Sequence, residues 1–250
     1  MKERLDLLLV KRGLAPSRER ARAYIMEGVV FVNGQREDKP GSFFDEEKIR
    51  ELLVKSDPIP FVSRGGLKLA HAISEFGIDV RDLVCLDIGA STGGFTDCLL
   101  QNGAVSVYSV DSGTNQLDWK LRSDPRVVCM EKTNFRYMTP DDLPEQVGFA
   151  CADVSFISLT KILPAAIRLL ADGGQMVCLI KPQFEAGREL VGKHGVVRDP
   201  RVQAQVVDRI RTFCGEIGFT VLGVTESPIL GAEGNREFLL WIRKGEEEQT

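Results

Sequence analysis

Short apolar segments alternate with amphipathic ones after residue 61, and this alternation constrains the fold more than any other feature of the sequence. The apolar segments have the length and β-branched content of strands; they are 84–87, 105–110, 148–154, 175–180, 219–224 and 238–242. Between most of these segments apolar residues recur at helical spacing, for example in 160–170 and 202–217. Such alternation predicts an α/β fold with a doubly wound, mostly parallel sheet that helices cover on both faces.

A glycine-rich turn follows the first of these strands and opens a helix; it reads Asp87-Ile88-Gly89-Ala90-Ser91-Thr92-Gly93-Gly94-Phe95-Thr96. A turn of this kind lets backbone N–H groups approach a polar ligand closely. A P-loop needs a lysine where Phe95 stands, which argues against a nucleoside triphosphate. A dinucleotide fingerprint needs a glycine where Ser91 stands, because a side chain there would obstruct a pyrophosphate. A plain strand–turn–helix corner without a ligand stays open as an alternative.

S-adenosylmethionine carries no phosphate, so small side chains in the turn are compatible with it. The Asp87 carboxylate could receive the methionyl ammonium directly or through water, and Asp111 ends the next strand, where an acid can bind both ribose hydroxyls. The turn and the two acids therefore predict an S-adenosylmethionine site. Its predicted residues are Asp87, Gly89, Ala90, Ser91, Thr92, Gly93, Gly94, Phe95 and Asp111.

Four charged residues lie near strand ends, where doubly wound sheets place their ligands. Asp153 and Lys181 each end a predicted strand, Glu237 begins the last one, and Lys68 opens the helix after the turn at 63–66. A lysine beside a weakly acidic hydroxyl can stabilise the forming alkoxide, or accept its proton when the lysine pKa is lowered. Taken singly, each of the four residues would fit a surface ion pair equally well.

The first 57 residues form a smaller unit with a basic surface. Leucines recur at helical spacing in 5–9, Ser17 can cap a second helix that ends at Glu27, and Asn33-Gly34 favours a type I′ hairpin. The prolines within 56–60 predict a linker, assigned to 58–64, which leaves a domain at 65–245 and an acidic tail at 246–250. The net charge of -4 argues mildly against nucleic acid, but a local basic face can still bind phosphate.

Composition excludes several other classes of protein. No apolar run approaches the roughly 20 residues of a membrane helix, and the N-terminus lacks the pattern of a secretory signal, so a cytoplasmic protein is expected. The six cysteines show no CxxC pair and no companion histidines, which predicts buried, reduced thiols and no metal. The long glycine-rich, basic segment 184–199 fits either a lid or substrate contact, or a solvated loop.

The run RLDLLLVKRGLAPSRERARAYIMEGVVFVNG resembles the ribosomal S4-type RNA-binding domain. That resemblance implies RNA phosphate contacts from a set of basic residues: Arg4, Lys11, Arg18, Arg20 and Arg22. The motifs DIGASTGGF, ADVSF, LIKPQFE and NREF, together with SRGGLKL, resemble the TlyA family. Members of that family are S4-domain 2′-O-ribose RNA methyltransferases with an FtsJ-like catalytic domain, and the resemblance covers nearly the whole chain.

The resemblance to the TlyA family implies an activity and a site. Lys68, Asp153, Lys181 and Glu237 would form a Lys-Asp-Lys-Glu tetrad in which Lys181 acts on the 2′-hydroxyl, with S-adenosylmethionine as cofactor. The substrate would be a cytidine of ribosomal RNA, presented as RNA or as a ribosomal subunit. The linker at 59–62 lacks the Arg-x-Trp-Val form of some members, so interdomain signalling inferred from them need not transfer.

Two further functions stay open at this stage. One is a non-catalytic RNA-binding factor for ribosome assembly. The other, suggested by the haemolysin label of some family members, is a membrane-lytic protein, but the sequence lacks an amphipathic stretch of the necessary length with a large apolar face.

Overall fold

The computed structural model describes residues 2–26, 28–55 and 59–245, and the chain divides into two compact units between Arg64 and Gly65. Part of the predicted linker (56–58), the predicted helix end at Glu27 and the acidic tail (246–250) lie outside the described residues. Within the described ranges no helix is long and apolar enough to cross a membrane.

Among its described residues, the first unit has two α-helices and five short strands. In chain order they are β1 (Lys2–Arg4), α1 (Leu5–Lys11), α2 (Arg18–Met26), β2 (Val30–Val32), β3 (Gln35–Glu37), β4 (Phe43–Asp45) and β5 (Leu52–Val54). Strand β2 pairs antiparallel with both β3 and β5, while β1 pairs antiparallel with β4. Leu5, Leu8 and Leu9 of α1 pack with Ile25 of α2 and Val30 of β2 in one buried core.

Local chemistry explains the boundaries of these elements. Helix α2 begins after Ser17, whose hydroxyl accepts a hydrogen bond from the Arg20 backbone N–H at 3.2 Å. The β2–β3 turn has positive φ at both central residues, 49° at Asn33 and 81° at Gly34, as a type I′ turn requires. The sequence signals for the second helix and for the hairpin are thus present in the structure.

The second unit contains a sheet and its covering helices. In chain order the elements are α3 (Gly65–Phe76), β6 (Val84–Ile88), α4 (Gly94–Gln101), β7 (Ser106–Val110), α5 (Trp119–Arg122), β8 (Val127–Met130), β9 (Val147–Ala152), α6 (Leu163–Leu169), β10 (Leu170–Ile180), α7 (Pro182–Glu185), α8 (Pro200–Glu216), β11 (Phe219–Glu226) and β12 (Phe238–Lys244). The strand order is β11-β12-β10-β9-β6-β7-β8.

Strands β10, β9, β6, β7 and β8 are parallel, whereas β12 runs antiparallel to both β10 and β11. The predicted mostly parallel, doubly wound sheet is therefore confirmed. The helix expected over 160–170 is shorter, because Pro164 lacks a backbone N–H and sits in the first turn of α6. The edge strand β8 was not predicted, since four residues are too few to show a clear alternation.

Alternation along the strands divides the core between two faces of the sheet. Leu86 and Ile88 of β6 pack in one cluster with apolar residues of α6 and α8. Their neighbour Asp87 points to the opposite face, where Thr96 of α4 hydrogen-bonds it. The polar groups that surround the glycine-rich turn thus lie on the α4 side of the sheet.

Candidate active site

A cleft of about 390 Å³ opens at the carboxyl ends of the central parallel strands. Its apolar wall includes Ile88, Val110 and Phe135, and its polar groups include Asp111 and Asn134. Further along, the cleft is lined by the segment 153–157, which directly follows β9. A concave apolar site with a few polar groups, at this edge of a doubly wound sheet, is the usual place for a small ligand.

The glycine-rich turn holds the backbone close to this cleft. The N–H groups of Gly89 and Ala90 both donate to the carbonyl of Val110, at 2.9 and 3.0 Å. Gly89 has a φ of +82°, and a Cβ there would lie 2.9 Å from the Asp153 carbonyl oxygen. Glycine is therefore required at position 89 by both conformation and space.

The predicted cofactor residues divide into two groups. Gly89, Ser91 and Asp111 line the cleft, while five others do not appear on its wall: Ala90, Thr92, Gly93, Gly94 and Phe95. These five shape the turn and the start of α4; the φ of Gly93 is +94°, and Phe95 is buried. Direct cofactor contact from them stays a prediction.

Asp87 lies beneath the turn rather than on the cleft wall. Its Oδ2 accepts hydrogen bonds from the Thr96 backbone N–H at 2.9 Å and the Thr96 hydroxyl at 2.7 Å, and the hydroxyls of Thr96 and Ser109 lie 2.7 Å apart. Burial raises the pKa of Asp87 to about 7, although the two bonds from Thr96 oppose the shift. In this arrangement Asp87 supports the turn, and its predicted contact with the methionyl ammonium stays untested.

Asp111 lies at the carboxyl end of β7 with both oxygens engaged by backbone. Oδ2 accepts from the Ser91 N–H at 2.8 Å and Oδ1 accepts from the Gly113 N–H at 2.7 Å. Each carboxylate oxygen retains a second acceptor position. Asp111 can therefore fix the turn and still accept hydrogen bonds from two hydroxyls of a ligand in the cleft.

The four residues of the predicted tetrad lie together in one cluster. The Lys68 ammonium lies 2.7 Å from Glu237 Oε2 and 3.3 Å from Asp153 Oδ2. The other oxygen of Asp153, Oδ1, lies 2.5 Å from the Lys181 ammonium. Asp153 thus bridges the two lysines, and two positive charges balance two negative ones.

Burial and charge act against each other in this tetrad. Burial lowers the pKa of Lys68, but the Asp153 and Glu237 carboxylates outweigh it and raise that pKa above its ordinary value. Burial likewise raises the pKa of Asp153, but the Lys68 and Lys181 ammonium groups outweigh it and hold that pKa below its ordinary value. Both groups are therefore kept charged at neutral pH.

Strand direction explains why these residues meet. Asp153 directly follows β9, Lys181 directly follows β10, and these parallel strands end at the same edge of the sheet. Glu237 directly precedes β12, which is antiparallel, so its amino end reaches that edge too; Ile180 pairs with Phe238. The placement at strand ends could be inferred from sequence, whereas the pairing of each lysine with its carboxylate could not.

Three neighbours of the tetrad were not identified from the sequence. The Lys181 ammonium donates to the Ser155 hydroxyl at 3.0 Å. Phe156, 91% exposed with a φ of +64°, lines the cleft, and its ring centroid lies 4.9 Å from that of Phe184. Ser155 and Phe156 belong to the motif ADVSF, which contains Asp153, and Phe184 belongs to LIKPQFE, which contains Lys181. Their closeness in sequence to these two predicted residues could have indicated that they belong to the site.

The segment after α7 is held next to Glu237. The buried Asn235 side chain accepts from the Val197 N–H at 3.1 Å and donates to the Gly195 carbonyl at 3.0 Å. Val196 and Val197 are buried, whereas Lys193 and His194 are exposed. The loop at 184–199 is thus anchored beside the tetrad and presents basic side chains to solvent.

The basic residues predicted to bind RNA have structural partners in the first unit. Arg4 donates to Asp6 at 2.9 and 2.8 Å, and Arg18 donates to the same buried carboxylate at 3.1 Å. The bond from Arg4, followed by Arg18, outweighs burial and lowers the pKa of Asp6 to about 2. Because Arg4 and Arg18 keep 34% and 49% of their side chains exposed, each can still present N–H groups to a phosphate.

The remaining basic residues differ in their surroundings. Lys11 pairs with Glu46 at 2.7 Å and Glu3 at 3.3 Å, and its side chain is half exposed. Arg20 donates to the carbonyls of Phe61 and Val62 and stacks over Tyr24 at 4.9 Å, so its guanidinium is engaged within the unit. Arg22 is exposed on α2. Arg22 is therefore well placed to meet RNA, whereas Arg20 is already committed to backbone acceptors.

One cysteine contacts a predicted cofactor residue: the Cys151 thiol lies 3.8 Å from Asp87 Oδ1. Over the described residues, no group of three or more His, Cys, Asp or Glu side chains is arranged to hold a metal ion. Of the six cysteines, all free, five are buried and Cys129 is partly exposed.

Comparison with known proteins agrees with this geometry. The family model for FtsJ-like methyltransferases matches residues 61–244, and that for S4 domains matches residues 3–48. YqxC of Bacillus subtilis is 55% identical over 99% of this chain and 89% of the relative. TlyA of Mycobacterium tuberculosis, named a 16S/23S rRNA (cytidine-2′-O)-methyltransferase, is 43% identical over 96% of this chain and 89% of its own length.

A solved structure from Streptococcus thermophilus, described as a candidate hemolysin, shares 51% identity and superposes with a TM-score of 0.78. It covers 98% of this chain and 89% of its own. Fold, cleft and family models together define an S-adenosylmethionine-dependent methyltransferase with an S4 domain. The chain belongs to the TlyA family of rRNA 2′-O-methyltransferases, which confirms the resemblance seen in its motifs.

Proposed function

We propose that this chain methylates the 2′-hydroxyl of a cytidine in ribosomal RNA, with Lys181 acting on that hydroxyl. The observation that carries the proposal is the buried, charge-balanced cluster of Lys68, Asp153, Lys181 and Glu237 beside the cleft. A ribosomal RNA substrate also agrees with the S4 domain and with the name of the Mycobacterium tuberculosis relative. Because the proposed substrate is ribosomal RNA, we expect the chain in the cytoplasm.

The cleft fits S-adenosylmethionine in size and in chemistry. Its volume of about 390 Å³ suits a ligand of that size. Gly89, where a Cβ would meet the Asp153 carbonyl oxygen, lets the backbone of the turn line the cleft closely, and Asp111 can accept hydrogen bonds from ribose hydroxyls. S-adenosylmethionine supplies an electrophilic methyl group when bound.

Lys181 orients the hydroxyl that is to be methylated. Its ammonium is held by Asp153 and Ser155, both of which line the cleft, so its remaining N–H faces a fixed direction. A hydrogen bond from that N–H would stabilise negative charge on the 2′-oxygen while this oxygen bonds to the methyl carbon, the methyl–sulfur bond of the sulfonium breaks, and the 2′-proton passes to solvent water. Lys68 binds the second oxygen of Asp153, and Glu237 holds Lys68 in place. Together they keep the first oxygen of Asp153 directed at Lys181.

The RNA would be held by stacking and by charge. The exposed ring of Phe156, packed against Phe184, offers a flat apolar surface for a base turned out of its stack. In the first unit, the half-exposed side chains of Arg4, Arg18 and Lys11, with the exposed Arg22, would bind phosphates.

The test is methyl transfer from radiolabelled S-adenosylmethionine to unmodified ribosomal subunits. We expect label at a single ribose, detected as resistance to alkaline cleavage, and a loss of at least a hundredfold with Lys181→Ala. Lys244→Met is the matched control, because Lys244 lies at the opposite end of β12 and pairs with Asp172 at 2.9 Å. No label on either subunit, despite measurable cofactor binding, would contradict the proposal.

The same comparison separates catalysis from an assembly role. If Lys181→Ala supports ribosome assembly as well as the wild-type chain does, methyl transfer is not the function that matters. A membrane-lytic role is not proposed, because no observation on the described residues supports it.

A further inference from the structure

Glu185 is a buried carboxylate that the scheme above does not use. It ends α7, the single helical turn that begins directly after Lys181. Its side chain is 2% exposed, and the half-exposed guanidinium of Arg209 lies 3.8 Å from it. A carboxylate placed this deep is unfavourable unless its hydrogen bonds are made, so its partners indicate its role.

Both oxygens of Glu185 bind the segment that follows β9. Oε1 accepts a hydrogen bond from the Leu159 backbone N–H at 2.7 Å, and Oε2 accepts one from the Ser158 hydroxyl at 2.7 Å. The Ser158 hydroxyl also accepts from the Thr160 N–H at 3.2 Å and so caps the short helical turn Leu159–Lys161. Glu185 therefore fixes the far end of the segment 153–158, whose near end is fixed by β9.

That segment carries the groups that hold Lys181 and would receive the target base in the proposed function. Asp153 and Ser155 contact the Lys181 ammonium at 2.5 and 3.0 Å. Phe156 has a φ of +64°, a conformation that a bulky residue keeps only when its surroundings hold it. A segment anchored at one end alone would leave Ser155 free to move away from Lys181 and Phe156 free to move away from Phe184.

We infer that Glu185 is a positioning residue for methyl transfer: it ties the chain after Lys181 to the segment 153–158. Through this contact it holds Ser155 against Lys181 and Phe156 against Phe184. The inference rests on the proposed function, because it assigns Glu185 a part in that reaction.

Glu185→Ala should lower kcat at least tenfold, because displacements of about 1 Å at a reacting centre cost on the order of a hundredfold in rate. Affinity for S-adenosylmethionine should fall less than kcat does, since Gly89 and Asp111 directly follow other strands, β6 and β7, although the segment 153–157 also lines the cleft. Glu185→Gln should retain most of kcat, because its amide oxygen can accept from Leu159 and its amide NH₂ can donate to Ser158.

Two further variants keep the test decisive. Ser158→Ala removes one of the two ties and should give an intermediate kcat, which serves if Glu185→Ala fails to fold. Val107→Ala removes buried apolar atoms from β7, outside the apolar cluster that includes Val154, Ile157 and Leu159; it should lower thermal stability while its kcat stays near that of wild type. A loss of kcat in Val107→Ala as large as that in Glu185→Ala would show that stability alone is responsible.

A measurement without RNA separates this inference from the proposed function. In protein labelled with 4-fluorophenylalanine, the Phe156 resonance is assigned by its absence in Phe156→Leu. We expect it to shift or broaden in Glu185→Ala and to stay in place in Glu185→Gln. Failure of the wild-type chain to methylate ribosomal RNA would refute the proposed function while this spectrum still reports on the tie. An unchanged Phe156 resonance in Glu185→Ala, or an equal loss of kcat in Glu185→Gln, would overturn the inference.

Discussion

The pair formed by Lys68 and Glu237 allows a worked test of the buried tetrad. The two charges lie 2.7 Å apart, with 10% and 2% of their side chains exposed. At an effective dielectric constant of about 20 such charges attract by about 6 kcal/mol, and the cost of removing them from water offsets much of this. Truncating either partner leaves one uncompensated buried charge, which should lower the free energy of unfolding by about 3–5 kcal/mol.

The double variant should be less damaging than the two single changes suggest. Lys68→Met leaves the cluster with one excess negative charge and Glu237→Gln with one excess positive charge, whereas both together leave Asp153 and Lys181 balanced. We therefore expect the double loss to fall short of the sum of the single losses by about 2–4 kcal/mol.

Urea unfolding followed by tryptophan fluorescence measures this coupling. Trp119 and Trp241 are the two tryptophans of the chain and both lie in the second unit, so the signal reports the unit that contains the tetrad. The control cycle uses Lys244→Met and Asp172→Asn, a pair 2.9 Å apart whose carboxylate is 51% exposed. Its coupling should stay below about 1 kcal/mol.

The reasoning would be refuted by additive losses, within about 0.5 kcal/mol, for Lys68 and Glu237. It would also be refuted if the control pair, whose carboxylate is half exposed, coupled as strongly, because burial of both charges would then not be the source of the effect.

Two other substitutions test the cofactor turn and the first unit. Gly89→Ala should weaken S-adenosylmethionine binding at least tenfold, whereas Gly77→Ala, which shares a positive φ but meets no atom within 4 Å, should leave binding unchanged in a calorimetric titration. The pKa of Asp6 is lowered from 3.8 to about 2, so its stabilising charge is complete above about pH 4 and is lost as the pH falls toward 2. Asp6→Asn should lower the free energy of unfolding by roughly 1 kcal/mol at pH 7, a value reduced by the partial exposure of the arginine partners of Asp6. Hydrogen exchange of α1 measures this difference from wild type, which should disappear near pH 2.

The cofactor turn shows both the reach and the limit of sequence reasoning. A glycine-rich turn between a strand and a helix predicts where a ligand can approach. Phe95 argues against a nucleoside triphosphate as that ligand, and Ser91 argues against a dinucleotide. The direction of the Asp87 side chain, however, depends on Thr96 and Ser109, which reach it only after α4 has packed on the sheet. A carboxylate that supports the turn from below and one that lines the cleft look alike in the sequence.

The basic residues of the first unit show the same limit. Arg4 and Arg18 look like an exposed basic face because neither has an acid at helical spacing on its own element. Their shared partner, Asp6, lies twelve positions from Arg18 and becomes available only when α1 packs against α2. The strands β1, β4 and β5 of this unit were not predicted for a related reason, since β1 pairs with β4, some forty residues away.

The antiparallel direction of β12 is what completes the tetrad. Parallel strands bring only their carboxyl ends to the edge where the cleft opens, and this suffices for Asp153 and Lys181. Glu237 precedes its strand, so a parallel β12 would carry it to the opposite edge, about 23 Å away for seven residues at roughly 3.3 Å each. In the observed direction Lys244 occupies that distant edge instead, and Glu237 reaches Lys68. The fourth charge of the site therefore depends on strand topology as much as on residue identity, and the NREF motif can contribute to this chemistry only where the last strand runs against the sheet.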